Sequence, residues 1–160
     1  MYLKGNFALK KIYAFCLIIC SFFIFTACSK SKNNTGVSIG ESEINRLENV
    51  SMKTEKESYP KHVIEIDIII ENNTDYELNF GEVFYVQVFK DNKWDTISFA
   101  KDKDGFIEIA NIIPPHDKAK SKVDLSRLDY TIVKGKYRII KEINNPNSGS
   151  SKLSAEFMIE

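Results

Sequence analysis

Cysteine is confined to one end of this chain. Of the three in 160 residues, Cys16 and Cys20 lie inside an apolar run and Cys28 closes it, so from Ser29 onward there is none. A disulfide framework and a Cys-based metal site are excluded for that stretch. Histidine is almost as scarce. His62 and His116 are the two present, and neither has a metal-ligating neighbour at i+2 or i+4. Gly36-Val37-Ser38-Ile39-Gly40 spells G-x-S-x-G, but it lies in a polar stretch with no strand-then-helix pattern around it, so no nucleophile elbow is expected there. Charge of one sign is lacking too: 22 basic side chains face 22 acidic ones, which leaves no electrostatic footprint for nucleic acid. Helical periodicity is nearly absent, and no repeat longer than a strand period is visible.

One long hydrophobic run is present, at the N-terminus. Residues 12–27 read IYAFCLIICSFFIFTA, preceded by Lys10-Lys11 and followed by Cys28-Ser29-Lys30. As a helix this run spans about 24 Å, less than the roughly 30 Å hydrocarbon core of a bilayer. A basic start, an apolar middle and a small-residue end describe a secretory signal. Phe25-Thr26-Ala27-Cys28 resembles the lipobox of bacterial lipoproteins, with Phe25 where the pattern usually has an aliphatic residue. The resemblance implies cleavage before Cys28 and a diacylglyceryl group on its sulfur. The other readings are a plain signal peptide or an uncleaved anchor helix with an incidental cysteine. Ser29 after the cysteine does not favour inner-membrane retention under the sorting rules of Gram-negative lipoproteins.

Removing residues 1–27 takes away Lys4, Lys10 and Lys11 and no acid, so the mature chain is mildly acidic. Its size suits one domain with a real core. Residues 28–44, Cys28 and the polar stretch SKSKNNTGVSIGESEI, read as a lipidated residue on a flexible tether, because they bury too little apolar area to offset ordering entropy. Residues 45–160 form the predicted domain, and there the hydrophobic period is two. In 62–71, HVIEIDIIIE, the pattern puts Ile64, Ile66, Ile68 and Ile70 on one face of a half-buried strand. Asn72-Asn73-Thr74-Asp75 ends it with turn chemistry. Further strands are expected over 83–90, over 93–99 with Trp94, within 106–113 before Pro114-Pro115, and over 118–125, 136–143 and 152–159. Short turns of helix are expected at 126–130 and, marginally, 42–48. Seven or eight short strands with turns between them predict an all-β fold, an antiparallel β-sandwich.

Leu128 to Ile139 reads LDYTIVKGKYRI, and Gly135-x-Tyr137 is similar to the tyrosine corner of immunoglobulin-type sandwiches. The resemblance implies a Tyr137 hydroxyl bonded back to the backbone near Val133, with Gly135 in a turn conformation closed to larger residues. Tyr59-Pro60, Glu71-Asn72-Asn73, Gly81, Lys93-Trp94 and Phe157 follow in matching order. Together they resemble a bacterial immunoglobulin-like (Ig-like) domain family common on lipoproteins, which implies an extracytoplasmic sandwich over roughly 45–160. The inter-sheet cysteines of antibody domains are missing.

The remaining candidates read structurally. Lys101-Asp102-Lys103-Asp104-Gly105 echoes half of a calcium loop, but Ala100 and Asn111 stand where the first and the bidentate ligands belong, so a polar turn is expected. Lys118, Lys120 and Lys122 form a basic strip, read as edge-strand protection against edge-to-edge pairing. Tyr85, Phe89 and Trp94 could make an aromatic platform, but the period assigns Tyr85 and Phe89 to the core. The expectation is a non-catalytic binding or structural module with no cofactor and no metal, lipid-anchored in a bacterial cell envelope, at the outer membrane if the cell is Gram-negative. Its partners would be the membrane and an envelope protein or polysaccharide. Two other readings stay open: a proteinase-inhibitor-like sandwich, from a weaker similarity of Asn72–Asp75, Phe80-Gly81, Lys93-Trp94 and Gly135–Tyr137, and a hydrolase or metal-dependent enzyme.

Overall fold

A computed structural model describes residues 39–160. The signal sequence, Cys28 and the first part of the tether lie outside the described residues. Among those described there are ten strands, the richest in β-branched residues being the third: β1 (Val50–Thr54), β2 (Ser58–Tyr59), β3 (Glu65–Asn72), β4 (Leu78–Phe80), β5 (Tyr85–Lys90), β6 (Lys93–Ile97), β7 (Asn111–Ile113), β8 (Asp117–Asp124), β9 (Gly135–Asn145) and β10 (Gly149–Ile159). β2 and β4 lie outside every expected stretch, being too short for an alternation to register in the sequence. Short 3-10 turns occupy Glu41–Glu43 and Leu125–Arg127.

The strands form two sheets. The smaller has the order β1-β3-β8, and the larger runs β2-β10-β9-β4-β7, with β5 also paired to β9 and β6 to β5. The chain passes from the smaller sheet to the larger after β1: β2 pairs in parallel with the end of β10, Ser58 with Met158 and Tyr59 with Ile159. It returns for β3, crosses to the larger sheet again after Asn72, and passes back at Pro114-Pro115, where β7 of the larger sheet gives way to β8 of the smaller. Proline suits that point because it has no N–H to donate to a ladder.

Asn72 holds two of these crossings together. It is fully buried, and its Nδ2 donates to the carbonyls of Tyr76 (2.8 Å), Ile113 (3.2 Å) and Pro114 (3.0 Å). Its Oδ1 accepts from the Thr74 N–H (3.0 Å) and hydroxyl (2.6 Å). A side chain with both donors and acceptors therefore satisfies the backbone where two connections leave their ladders.

The core lies between the inner faces. Ile66, Ile68 and Ile70 of β3 are fully buried and share a cluster with Val123 of β8, Val86 of β5, Tyr137, Ile139 and Ile143 of β9, and Leu153, Phe157 and Ile159 of β10. Ile64 departs from the expected face. It precedes β3 and is 62% exposed, because the chain is still leaving the turn closed by Val63 N–H on the Pro60 carbonyl. The expected strand in 106–113 shrinks to β7, and Ile107 and Ile109 before it are exposed. Just before that stretch Arg127 donates to the carbonyls of Lys103 and Gly105.

Candidate functional site

The outer face of the larger sheet carries a buried guanidinium. Alternation along β9 points Tyr137, Ile139 and Lys141 inward and Lys136, Arg138, Ile140 and Glu142 outward. Arg138 faces out, yet only 4% of its side chain is exposed. In register it lies between Gln87 of β5 and Glu156 of β10. Its Nε donates to Gln87 Oε1 at 2.6 Å, and its two terminal nitrogens grip the Glu41 carboxylate, one at 3.1 Å. Gln87 in turn donates to Thr96 Oγ1 at 2.9 Å. The guanidinium carbon stands 4.3 Å above the Trp94 ring. A planar fork matched to a carboxylate and stacked on an indole satisfies a cation that burial would otherwise penalise heavily. The same bond holds the Glu41 carboxyl below its ordinary value of 4.5.

Glu41 belongs to a strap that crosses this face. Glu43 pairs with Lys152 at 2.9 Å, and Ile44 makes a parallel bridge to Lys152. Asn45 exchanges two hydrogen bonds with Ser154, at 3.1 and 2.9 Å. Ile39 is buried, and Ile140 on the covered face is fully buried although it stands outside the main core cluster. Residues 39–44, read from composition as the end of a flexible tether, are thus packed on the domain. Ion pairs and one buried isoleucine do what average hydropathy did not suggest.

The aromatic residues need a correction. Tyr85 and Phe89 are not core: Val86 and Val88 take the inner positions of β5, and Tyr85, Gln87 and Phe89 take the outer ones. Phe89 is 38% exposed and packs on Trp94 with ring centres 5.0 Å apart. The Lys136 ammonium lies 5.5 Å from the Trp94 ring centre and 5.7 Å from that of Phe89. Period two alone could not say which parity faced inward, because both faces of β5 are apolar.

Tyr137 is fully buried. Its hydroxyl donates to the Val133 carbonyl at 2.8 Å and accepts from the Val133 N–H at 3.2 Å. The ring stacks on Phe157 at 5.6 Å, and burial pushes the phenol up to about 12. Gly135 does not have the role the resemblance implied. The one glycine at positive φ among the described residues is Gly149, and a Cβ at 135 would meet the Tyr137 ring at an ordinary 3.6 Å.

Lys141 was not singled out by the sequence. It points inward and is 1% exposed. Its ammonium donates to the carbonyls of Gly81 (2.7 Å) and Glu82 (3.3 Å) and lies 5.1 Å from the Phe80 ring centre. Burial lowers its pKa to about 8.

The other candidates are tied up locally. His116 contacts Asp75 at 2.9 Å on the surface, and His62 is exposed in a turn. The Asp102–Asp104 loop has its Lys103 and Gly105 carbonyls occupied by Arg127, which stacks 3.9 Å over Phe106. Among the described residues no three His, Cys, Asp or Glu side chains converge as a metal site. Lys118, Lys120 and Lys122 lie on the edge strand β8 and pair with Glu71, Glu55 and Glu65 respectively.

Comparison with solved structures finds distant likenesses. The E. coli chaperone DraB is 12% identical at a TM-score of 0.42, over 69% of this chain and 55% of that one, so the chain spans about half its length. The archaellum periplasmic stator complex FlaF and FlaG of Sulfolobus acidocaldarius matches at 15% identity and 0.38, over 75% of this chain and 96% of that one. The CARDB domain of PF1109 from Pyrococcus furiosus matches at 8% and 0.34, over 69% and 94%. No curated protein matches the chain. The bacterial Ig-like domain family matches residues 46–158, from just behind the strap to the end of β10, and by this match the chain belongs to that family.

Proposed function

We propose that the protein is a lipid-anchored lipoprotein of the bacterial cell envelope whose Ig-like domain acts as a non-catalytic binding or structural module. The observation that carries this reading is the bacterial Ig-like match over 46–158 placed directly after a basic, apolar, small-residue leader ending in Phe25-Thr26-Ala27-Cys28. Supporting it, the polar groups described above are spent on holding the fold. Arg138, Asn72, Lys141 and Arg127 each bond to a neighbouring chain segment, and none is paired as a base with a nucleophile. Two acyl chains on one residue would hold the domain firmly, since each buried CH₂ contributes about 0.8 kcal/mol.

Cell fractionation of Cys28→Ser tests the anchor. The parent partitions with membranes, and the variant loses lipid attachment and leaves that fraction. A variant that stays with membranes as the parent does contradicts the proposal. A panel of proteases separates the binding module from an inhibitor, because inhibition at micromolar protein would replace this reading with the other.

A further inference from the structure

We propose that the end of the larger sheet bearing Phe89, Trp94, Lys136 and Met158 rests against the bilayer to which the chain is anchored. This deepens the lipoprotein reading and rests on it. Three observations lead here.

The first is the surface itself. Pairing of Phe89 with Trp94, Lys90 with Lys93 and Lys136 with Met158 gathers aromatic, thioether and lysine side chains at one end of β5, β6, β9 and β10. Phe89 is 38% exposed, Met158 43%, and Val133, just ahead of β9 at the same end, 45%. Trp94 is the only tryptophan in the chain. Tryptophan and phenylalanine beside lysines that can reach outward is the composition of a membrane interface, where rings sit at headgroup depth and ammonium groups stay in water.

The second is where the anchored segment arrives. Glu41 is fixed on Arg138, the next outward residue of β9 after Lys136, and Arg138 stacks on Trp94. The strap therefore joins the domain beside this patch. The stretch from Cys28 to Ile39 reaches at most about 40 Å when fully extended, and as a relaxed coil spans roughly 20 Å. A surface held this close to the bilayer gains from weak contacts that would fail in free solution.

The third is that the alternative basic surface is taken. The lysine strip of β8 is matched by glutamates, as described. At the proposed surface Lys93 faces Asp95 at 3.2 Å, Lys136 faces Glu156 at 2.6 Å, Lys90 lies over Tyr130, and Asp91 sits in the turn. Charge there is nearly balanced, so apolar insertion dominates and the contact depends on the anchor.

Trp94 reports on this directly. The full-length lipidated chain is reconstituted into phosphatidylethanolamine–phosphatidylglycerol vesicles, with and without bromine on the acyl chains near the headgroup, and floated on a density gradient. The expected result is co-flotation, loss of most Trp94 emission in the brominated vesicles, and protection of Trp94 from aqueous acrylamide. Met158→Asp and Phe89→Asp should float equally well and regain that emission. A chain that floats with Trp94 equally bright in both vesicles and open to acrylamide overturns the inference while leaving the anchor intact. So does quenching that persists undiminished in both variants. A chain that fails to float overturns the anchor and this inference together.

Discussion

Glu41 and Arg138, 97 positions apart in the chain, form a bidentate ion pair on the outer face of the larger sheet. The pair is asymmetric: the arginine side chain is 4% exposed and the glutamate 66%. One partner is thus embedded in the fold, and the other belongs to the segment that leads from the N-terminus. The strap is held by this pair, by Lys152 on Glu43 and by Ser154 on Asn45, with Ile39 buried at its start.

Glu41→Gln keeps the shape and removes the charge, so the strap should loosen while the sandwich stays folded. The readout is faster backbone amide exchange over 39–45, with exchange in β3 and β9 unchanged. The pH dependence follows from the lowered Glu41 pKa. Its contribution is present above the ordinary value of 4.5 and is lost as pH falls through the lower folded value. Acidification should therefore lower the protection of the parent strap, relative to the intrinsic exchange rate at each pH, and leave that of Glu41→Gln comparatively unaffected.

Tyr137→Phe deletes a hydroxyl that is both donor and acceptor to Val133. Losing both bonds should cost about 1–2 kcal/mol, read as a lower denaturant midpoint with an unchanged slope. An unchanged midpoint would show that the bond contributes nothing to stability.

How much of this was legible follows from what each residue answers to. Ile66, Ile68, Ile70, Leu153, Phe157 and Ile159 answer to the hydrophobic period, and their burial could be read directly. The G-x-Y spacing located a hydroxyl near Val133 because a local turn sets that geometry, whereas Gly135 itself stays in ordinary extended backbone. Arg138 and Gln87 answer instead to partners distant in sequence. An outward parity predicts solvent for both, whereas Trp94 stacks on the guanidinium, Thr96 takes the Gln87 amide, and Glu41 folds back from the strap onto Arg138. Phe89 was assigned to the core because β5 is apolar on both faces, so alternation could not choose between them. Lys141 shares its parity with Tyr137 and Ile139, which pointed inward, but no pattern rule anticipates an ammonium finding the Gly81 and Glu82 carbonyls.

Lys141 makes the fold more stable in mild alkali. Its folded pKa is about 8 against an ordinary 10.5. Between those values the unfolded chain holds a proton that the folded one has released, so stability rises with pH across that window. The full rise is worth on the order of 3 kcal/mol. Tyr137 acts in the opposite sense above its ordinary value of 10, where its raised folded pKa makes stability fall as pH climbs toward about 12. The Lys141 effect is therefore best measured between pH 8 and 10. Lys141→Met, which keeps the apolar stem, should abolish the rise in the unfolding midpoint. Persistence of the rise in that variant would assign it to another group.

Intact-mass spectrometry of the protein extracted from membranes tests the central claim most directly. The account predicts a chain beginning at Cys28, with residues 1–27 removed and a diacylglyceryl group on its sulfur. A chain that retains Met1 and carries no fatty adduct would contradict it.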